Sequence, residues 1–158
     1  MNDQLPQVEI YTDGSCLNNP GPGGYGVVLL AGDNRKELSG GFERTTNNRM
    51  EILAVIKGLE ALKKPCRVNI YTDSQYVVNA ISKGWAKKWQ KNNWRRNGKE
   101  KAKNPDLWQI LLQLCNQHQV NFIWVRGHSG NKENERCDRL AFHAAQGSDL
   151  EEDIGMDN

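Results

Sequence analysis

The sequence has no long apolar run. No stretch approaches the roughly 20 residues that a membrane span requires, and mean hydropathy is −0.75, so no membrane segment and no membrane partner are expected. Cysteine is sparse. Cys16, Cys66, Cys115 and Cys137 lie far apart with no CxxC pair, a pattern that fits neither a disulfide frame nor a zinc site. The opening residues MNDQLPQVEIYTD hold no basic cluster and no apolar stretch. A secretory leader is therefore not expected, and reduced thiols in a cytoplasmic protein are. A large net charge is also lacking: the formal value is +2, which by itself names no partner. What remains is 158 residues, 37% hydrophobic and 25% charged, enough for one domain with a real core.

The charges are unevenly placed. From Lys83 to Lys103 the chain holds nine bases (Lys83, Lys87, Lys88, Lys91, Arg95, Arg96, Lys99, Lys101, Lys103) and one acid, Glu100, a net of +8. The rest holds 12 bases against 18 acids, a net of −6. Trp85, Trp89 and Trp94 fall inside the basic segment. Lys and Arg neutralise phosphates, and tryptophans stack on sugars or pack beneath the cations. A helix with core tryptophans and solvated lysines would have the same composition, and the two readings are compatible. The asymmetry exceeds what a solvated face needs and points to nucleic acid. The last ten residues carry five acids and no base, and this tail is expected to fray.

Periodicity gives the elements. Val8–Thr12 reads as a strand ended by Asp13-Gly14-Ser15, and Pro20-Gly21-Pro22-Gly23-Gly24 as loop. Tyr25–Leu30 and Glu37–Phe42 read as a hairpin around Gly32-Asp33-Asn34. Asn47–Leu62 has helical apolar spacing and is stopped by Pro65. Arg67–Thr72 reads as a strand and Ser74–Ser82 as a short helix, with the basic segment continuing as helix and then loop. Asn104-Pro105-Asp106 starts a helix to about His118, with Asn104 as its cap. Val120–Val125 is the last strand and Glu133–Ala145 the last helix. A hairpin followed by strand–helix alternation means an α/β fold with helices on the faces of a mixed sheet.

The chain echoes itself. Glu9-Ile10-Tyr11-Thr12-Asp13 resembles Asn69-Ile70-Tyr71-Thr72-Asp73. If these strands are parallel neighbours, about 4.8 Å apart, both Asp side chains leave the same sheet edge. Two carboxylates so placed repel unless they share a proton or a divalent cation. Oxygen donors without His or Cys favour Mg²⁺ or Mn²⁺. One such Asp alone would read as a turn residue; the repetition argues for more. Glu51 lies at the edge of the apolar stripe of its helix, facing partly toward the sheet, although Asn48-x-x-Glu51 also has capping-box spacing. Asp138 flanks the apolar side of the last helix, where a solvated carboxylate is the common case. His128, in Arg126-Gly127-His128-Ser129-Gly130, is either a loop residue titrating near neutrality beside a site or an ordinary surface histidine.

Taken together, several motifs resemble bacterial type 1 ribonuclease H. They are Asp13-Gly14-Ser15-Cys16, Pro20-Gly21-Pro22-Gly23-Gly24-Tyr25-Gly26, Thr45-Thr46-Asn47-Asn48-Arg49-Met50-Glu51, Thr72-Asp73-Ser74-Gln75-Tyr76, Gly127-His128 and Asn134-Glu135-Arg136-Cys137-Asp138. The match runs from about Val8 to Ala145, in order and with the family's spacing. The resemblance implies a five-stranded mixed sheet, three strands antiparallel and the others parallel, flanked by helices and bearing a basic protrusion. It implies an endonuclease that hydrolyses the RNA strand of RNA–DNA hybrids by a two-metal-ion mechanism, leaving 5′-phosphate and 3′-hydroxyl ends. The family's four acidic ligands fall on Asp13, Glu51, Asp73 and Asp138, and its loop histidine on His128. Two Mg²⁺ ions are implied, with Mn²⁺ as a substitute. The implied substrate contacts include Cys16, Asn19, Asn47 and Gln75, the phosphate-pocket positions Thr46 and Asn48, and the protrusion residues Trp85, Lys87, Lys88, Trp89, Lys91, Trp94, Arg95 and Arg96.

One domain is expected over residues 1–146, with the protrusion at about 83–103 and a flexible acidic tail at 147–158. A monomer is expected, since no apolar stripe asks for a second copy. Two rivals share parts of this pattern: another carboxylate two-metal nuclease of the same architecture, and a hybrid-binding module without activity.

Overall fold

The computed structural model describes residues 5–127 and 129–156. Three antiparallel strands come first: β1 (Gln7–Cys16), β2 (Gly21–Ala31) and β3 (Asn34–Thr45). Helix α1 (Asn47–Glu60) crosses to β4 (Arg67–Thr72). Helices α2 (Gln75–Ser82), α3 (Trp85–Lys91) and α4 (Pro105–Gln117) precede β5 (Gln119–Trp124) and α5 (Lys132–Ala145). The strand order is β3-β2-β1-β4-β5, with β1, β4 and β5 parallel. This is the five-stranded mixed sheet that the family resemblance implies.

The echo pairs with itself. Glu9 lies opposite Asn69, Ile10 opposite Ile70 and Tyr11 opposite Tyr71. The two tyrosine rings stack with centroids 4.4 Å apart, and Tyr71 donates its hydroxyl hydrogen bond to Glu9. Because side chains alternate across a strand, Ile10 and Ile70 enter the core together while Tyr11 and Tyr71 share the other face.

Helices cover the two faces by different means. On one face α1 rests against Ile10 and Val27, with its own Gly58 at the point of contact. Ile52, Val55, Leu59, Trp108 and Leu111 complete that core and are almost wholly buried. On the other face α5 lies directly on bare strand backbone. A Cβ at Gly26 would sit 2.3 Å from the carbonyl oxygen of Cys137, and one at Gly24 2.6 Å from that of Ala141. The small residues Cys137, Ala141 and Ala145 face this glycine track and are buried.

That packing explains a departure from the expected boundaries. The Pro-Gly cluster is not loop: β2 begins at Gly21, and β1 runs on to Cys16 because Asp13 through Cys16 pair with Gly26 through Gly23. On its β4 side, however, the ladder ends at Tyr11–Tyr71, so Asp13 lies beyond the parallel pairing. Helix α1 ends at Glu60, before Pro65 acts. Its cap is Thr46, whose hydroxyl accepts from the Arg49 amide at 3.2 Å, so Asn48 and Glu51 do not form a capping box. Asn104 precedes α4 in a left-handed conformation, φ 61°, with no side-chain cap bond; its carboxamide is engaged by Arg49 and Tyr76 instead.

The acidic tail does not fray within the described residues. Glu151 exchanges backbone hydrogen bonds with Gly41 and Glu43 at the outer edge of β3. Asp153 accepts from Thr45 at 2.6 Å and pairs with Arg49 at 2.7 Å. A run of acids is held down because a buried cation awaits it.

A methyl group at the glycine track should be costly. Gly26→Ala is expected to lower stability by about 2 kcal/mol through forced separation of α5 from the sheet, measured by denaturant unfolding. Unchanged stability would show that the helix can shift freely.

Candidate active site

Four carboxylates arrive from four elements. Asp13 leaves β1 two residues past the parallel ladder, and Asp73 does the same on β4. Glu51 reaches them from the first turn of α1, where its carboxylate accepts the Gly14 amide at 2.6 Å. Gly14 has no side chain because α1 leaves no room: a Cβ there would lie 2.5 Å from the Glu51 backbone nitrogen. One carboxylate oxygen each from Asp13, Glu51 and Asp73 lie within 4.8 Å of one another. Asp138, on α5, is close enough to share a hydrogen bond with the Asp13 carboxyl.

The crowding has an electrostatic signature. Burial first, then the charges of Asp73 and Asp138, pushes the Asp13 carboxyl up to about 8. Burial, followed by Asp13 and Asp73, raises Glu51 well above the usual carboxylate range, with the Gly14 amide opposing. Like charges at this separation require a proton or a cation between them. The donors offer only oxygen, so a hard divalent cation fits them and a soft one does not.

The neighbourhood is stiff on one side. Trp124 donates its indole hydrogen bond to the Asp73 carbonyl at 3.1 Å, fixing the end of β4 from β5. Gly127 touches Asp73 so closely that a Cβ would come 2.6 Å from its Oδ2. Gly127 therefore stands beside the carboxylates, while His128 lies outside the described residues.

The expected substrate residues divide into groups. Asn19, Thr46, Asn48, Trp94 and Arg95 line one open groove of about 920 Å³ next to the start of α1. Asn19 accepts the Asn47 amide at 3.1 Å, tying the loop after β1 to this helix. Asn48 also borders a second groove of about 540 Å³, shared with Trp85, Lys88, Trp89 and Arg96. Gln75 is exposed, two residues after Asp73. Lys91 is exposed at the end of α3, and Lys87 lines a different hollow with Cys115 and Phe122. The Cys16 thiol turns inward, toward the carbonyl of Asn18 at 2.8 Å and that of Thr45 at 3.3 Å, where it braces a turn.

Aromatic packing holds the basic segment in place. Trp89 meets Trp85 at 6.5 Å and the buried Trp108 at 6.2 Å between centroids. Trp89 and Trp94 both pack on the core, whereas Trp85 is partly exposed beneath Lys83. Asn93 and Trp94 adopt positive φ, turning the chain sharply so that Arg95 pairs with Lys101. The tryptophans root the segment and the cations project from it.

Sequence reasoning passed over Arg49. Its side chain is 3% exposed and sits between Asp106 and Asp153. Nothing in Asn47-Asn48-Arg49-Met50-Glu51 announces a buried cation, and its partners are remote in sequence. Lys101 and Lys103, counted in the basic segment but not singled out, line the larger groove.

Comparison with known proteins gives a consistent picture. A family model described as RNase H matches residues 6–146. The chain is 67% identical over 153 residues to a ribonuclease H of Syntrophus aciditrophicus (strain SB), covering 97% of this chain and 88% of the relative. It is 64% identical over 140 residues to a ribonuclease HI of Synechocystis sp., covering 88% of each. Among solved structures, LC9-RNase H1, described as a type 1 RNase H with the type 2 active-site motif, superposes with a TM-score of 0.83 at 35% identity, covering 93% of this chain and 75% of that one.

The raised Asp13 pKa sets a pH dependence. Between about pH 4 and pH 8 the folded metal-free protein keeps a proton that the unfolded chain has released, so its stability falls as pH rises through that window. Thermal melts in EDTA should show Tm declining across this range. Asp13→Asn should flatten the decline, and Mg²⁺ should raise Tm more at the alkaline end. A metal-free Tm indifferent to pH in both proteins would contradict the crowding.

Proposed function

The chain belongs to the RNase H family, as a bacterial type 1 member, and from that premise we propose how its residues divide the work of hydrolysing the RNA strand of an RNA–DNA hybrid. The observation that carries the assignment is the convergence of Asp13, Glu51 and Asp73, with Asp138 bonded to Asp13, at the sheet edge beside grooves walled by bases. The enzyme depends on a divalent metal, and the oxygen-only cluster fits one.

In our reading the cluster takes two Mg²⁺ ions, with Mn²⁺ as a substitute. Bound there, a pair of such ions would supply Lewis acidity to the attacking water and to the departing 3′ oxygen. Asp13, on whose carboxyl Glu51, Asp73 and Asp138 all act, would be the central residue holding the ions. Glu51 is oriented by the Gly14 amide and Asp73 by the anchorage of its backbone to Trp124. His128 moves a proton during departure of the cut strand, on a loop that Gly127 brings against Asp73.

Specificity comes from shape and the 2′-hydroxyl. The Asn19, Asn47 and Gln75 amides can hydrogen-bond ribose hydroxyls across the wide minor groove of an A-like duplex without reading sequence. Thr46 and Asn48, at the exposed start of α1, take a phosphate of the DNA strand. The cations displayed by Trp85–Lys103 follow the backbone further along. All four acids come from one chain, so a monomer suffices.

Asp73→Asn keeps the shape of the side chain and removes a ligand charge. We expect cleavage of a labelled hybrid in Mg²⁺ to fall by at least about a hundredfold, with hybrid affinity in Ca²⁺ nearly unchanged and duplex DNA left intact. Retained cleavage by the variant, or cutting by wild type in excess EDTA, would overturn the assignment.

A further inference from the structure

In the first turn of α1, Arg49 reaches both the base of the basic segment and the segment 151–156. Its guanidinium bonds Asp106 at 2.7 and 3.0 Å and the Asn104 carboxamide at 3.2 Å. It bonds Asp153 through Nε at 2.7 Å and Nη2 at 3.0 Å. Asp153 in turn accepts the Thr45 hydroxyl at 2.6 Å. The tail is closely fitted: a Cβ at Gly155 would sit 1.9 Å from Asp106 Oδ2, and Met156 lines the larger groove alongside Thr46 and Asn48.

A buried guanidinium demands anionic partners. Asp106 alone would neutralise Arg49, and the second carboxylate therefore does something other than balance charge. Through one side chain the tail grips Thr45, the last residue of β3, and Arg49, inside α1. Thr46 lies between them, and its hydroxyl caps the helix by accepting the Arg49 amide.

We propose that the C-terminal segment 151–156 is a working wall of the substrate groove, and that Asp153 is a positioning residue that sets Thr46 and Asn48 for the DNA-strand phosphate. This rests on the function proposed above. The strap consumes the charge of Arg49, so Arg49 supports the pocket and the phosphate is left to Thr46, Asn48 and the nearby Lys101 and Lys103. The edge pairing of Glu151 with β3 anchors the strap at its near end.

The test is steady-state cleavage of a hybrid by the full chain carrying Asp153→Asn, at a temperature where circular dichroism shows the variant fully folded. KM should rise about tenfold while kcat stays within about twofold, because the carboxylate cluster is untouched. Thr45→Val, which deletes only the hydroxyl bond to the same carboxylate, should raise KM in the same direction and carries the test if Asp153→Asn does not fold. A lowered Tm with KM unchanged would make the tail merely structural and overturn the proposal. A loss confined to kcat would place the effect at the carboxylates and also overturn it. Failure of the wild type to cut hybrids would instead defeat the functional reading itself.

Discussion

The structure is organised around a repulsion. Parallel strands β1 and β4 pair in register through three matched residues, and the same register carries Asp13 and Asp73 to adjacent positions past the end of the ladder. Glu51 is then pressed into the same space by a helix so close that residue 14 must be glycine. Burial and like charge lift the pKa of Asp13 and of Glu51. The protein holds this arrangement with packing far from the site, in the apolar layer beneath α1 and the backbone-to-backbone seam beneath α5. A divalent cation held between the carboxylates would relieve the repulsion and turn the folding cost of the cluster into metal affinity.

The electrostatics are opposite a short distance away, on the face proposed to take the substrate. The cations of the basic segment stand on a ladder of tryptophans rooted at Trp108, so a charged stretch is presented as a fixed surface. Negative and positive regions are thus separated by the first turn of α1, which carries Glu51 toward the metal site and Thr46 and Asn48 toward the groove. Arg49 lies between them in the same turn, and its ion pairs with Asp106 and Asp153 join that turn to the base of the basic segment and to the tail.

Much of this was legible in the sequence, for identifiable reasons. The strand echo offered β1 and β4 as neighbours, because two like strands that each end in Asp bring both carboxylates to one sheet edge when they lie side by side. The charge of residues 83–103 stands out in the sequence because nine bases fall within 21 residues of a chain that is otherwise net acidic. Other features stayed hidden. The extension of β2 into the Pro-Gly cluster follows from the approach of α5, a tertiary contact that makes glycine favourable in a strand. Asn104 has the identity of a cap but serves Arg49 and Tyr76. The acidic tail has the composition of a frayed end, and the partners that hold Asp153, Thr45 and the buried Arg49, lie more than a hundred residues earlier.

The central claim is that Asp13 is forced into carboxylate crowding that a divalent cation resolves. Carboxyl-carbon NMR titration of the ¹³C-labelled protein reads that residue directly. The account predicts an Asp13 midpoint near 8 without metal, falling below the ordinary aspartate range when Mg²⁺ saturates the site. A midpoint near 4 in both conditions would show that the carboxylates neither crowd one another nor share a cation.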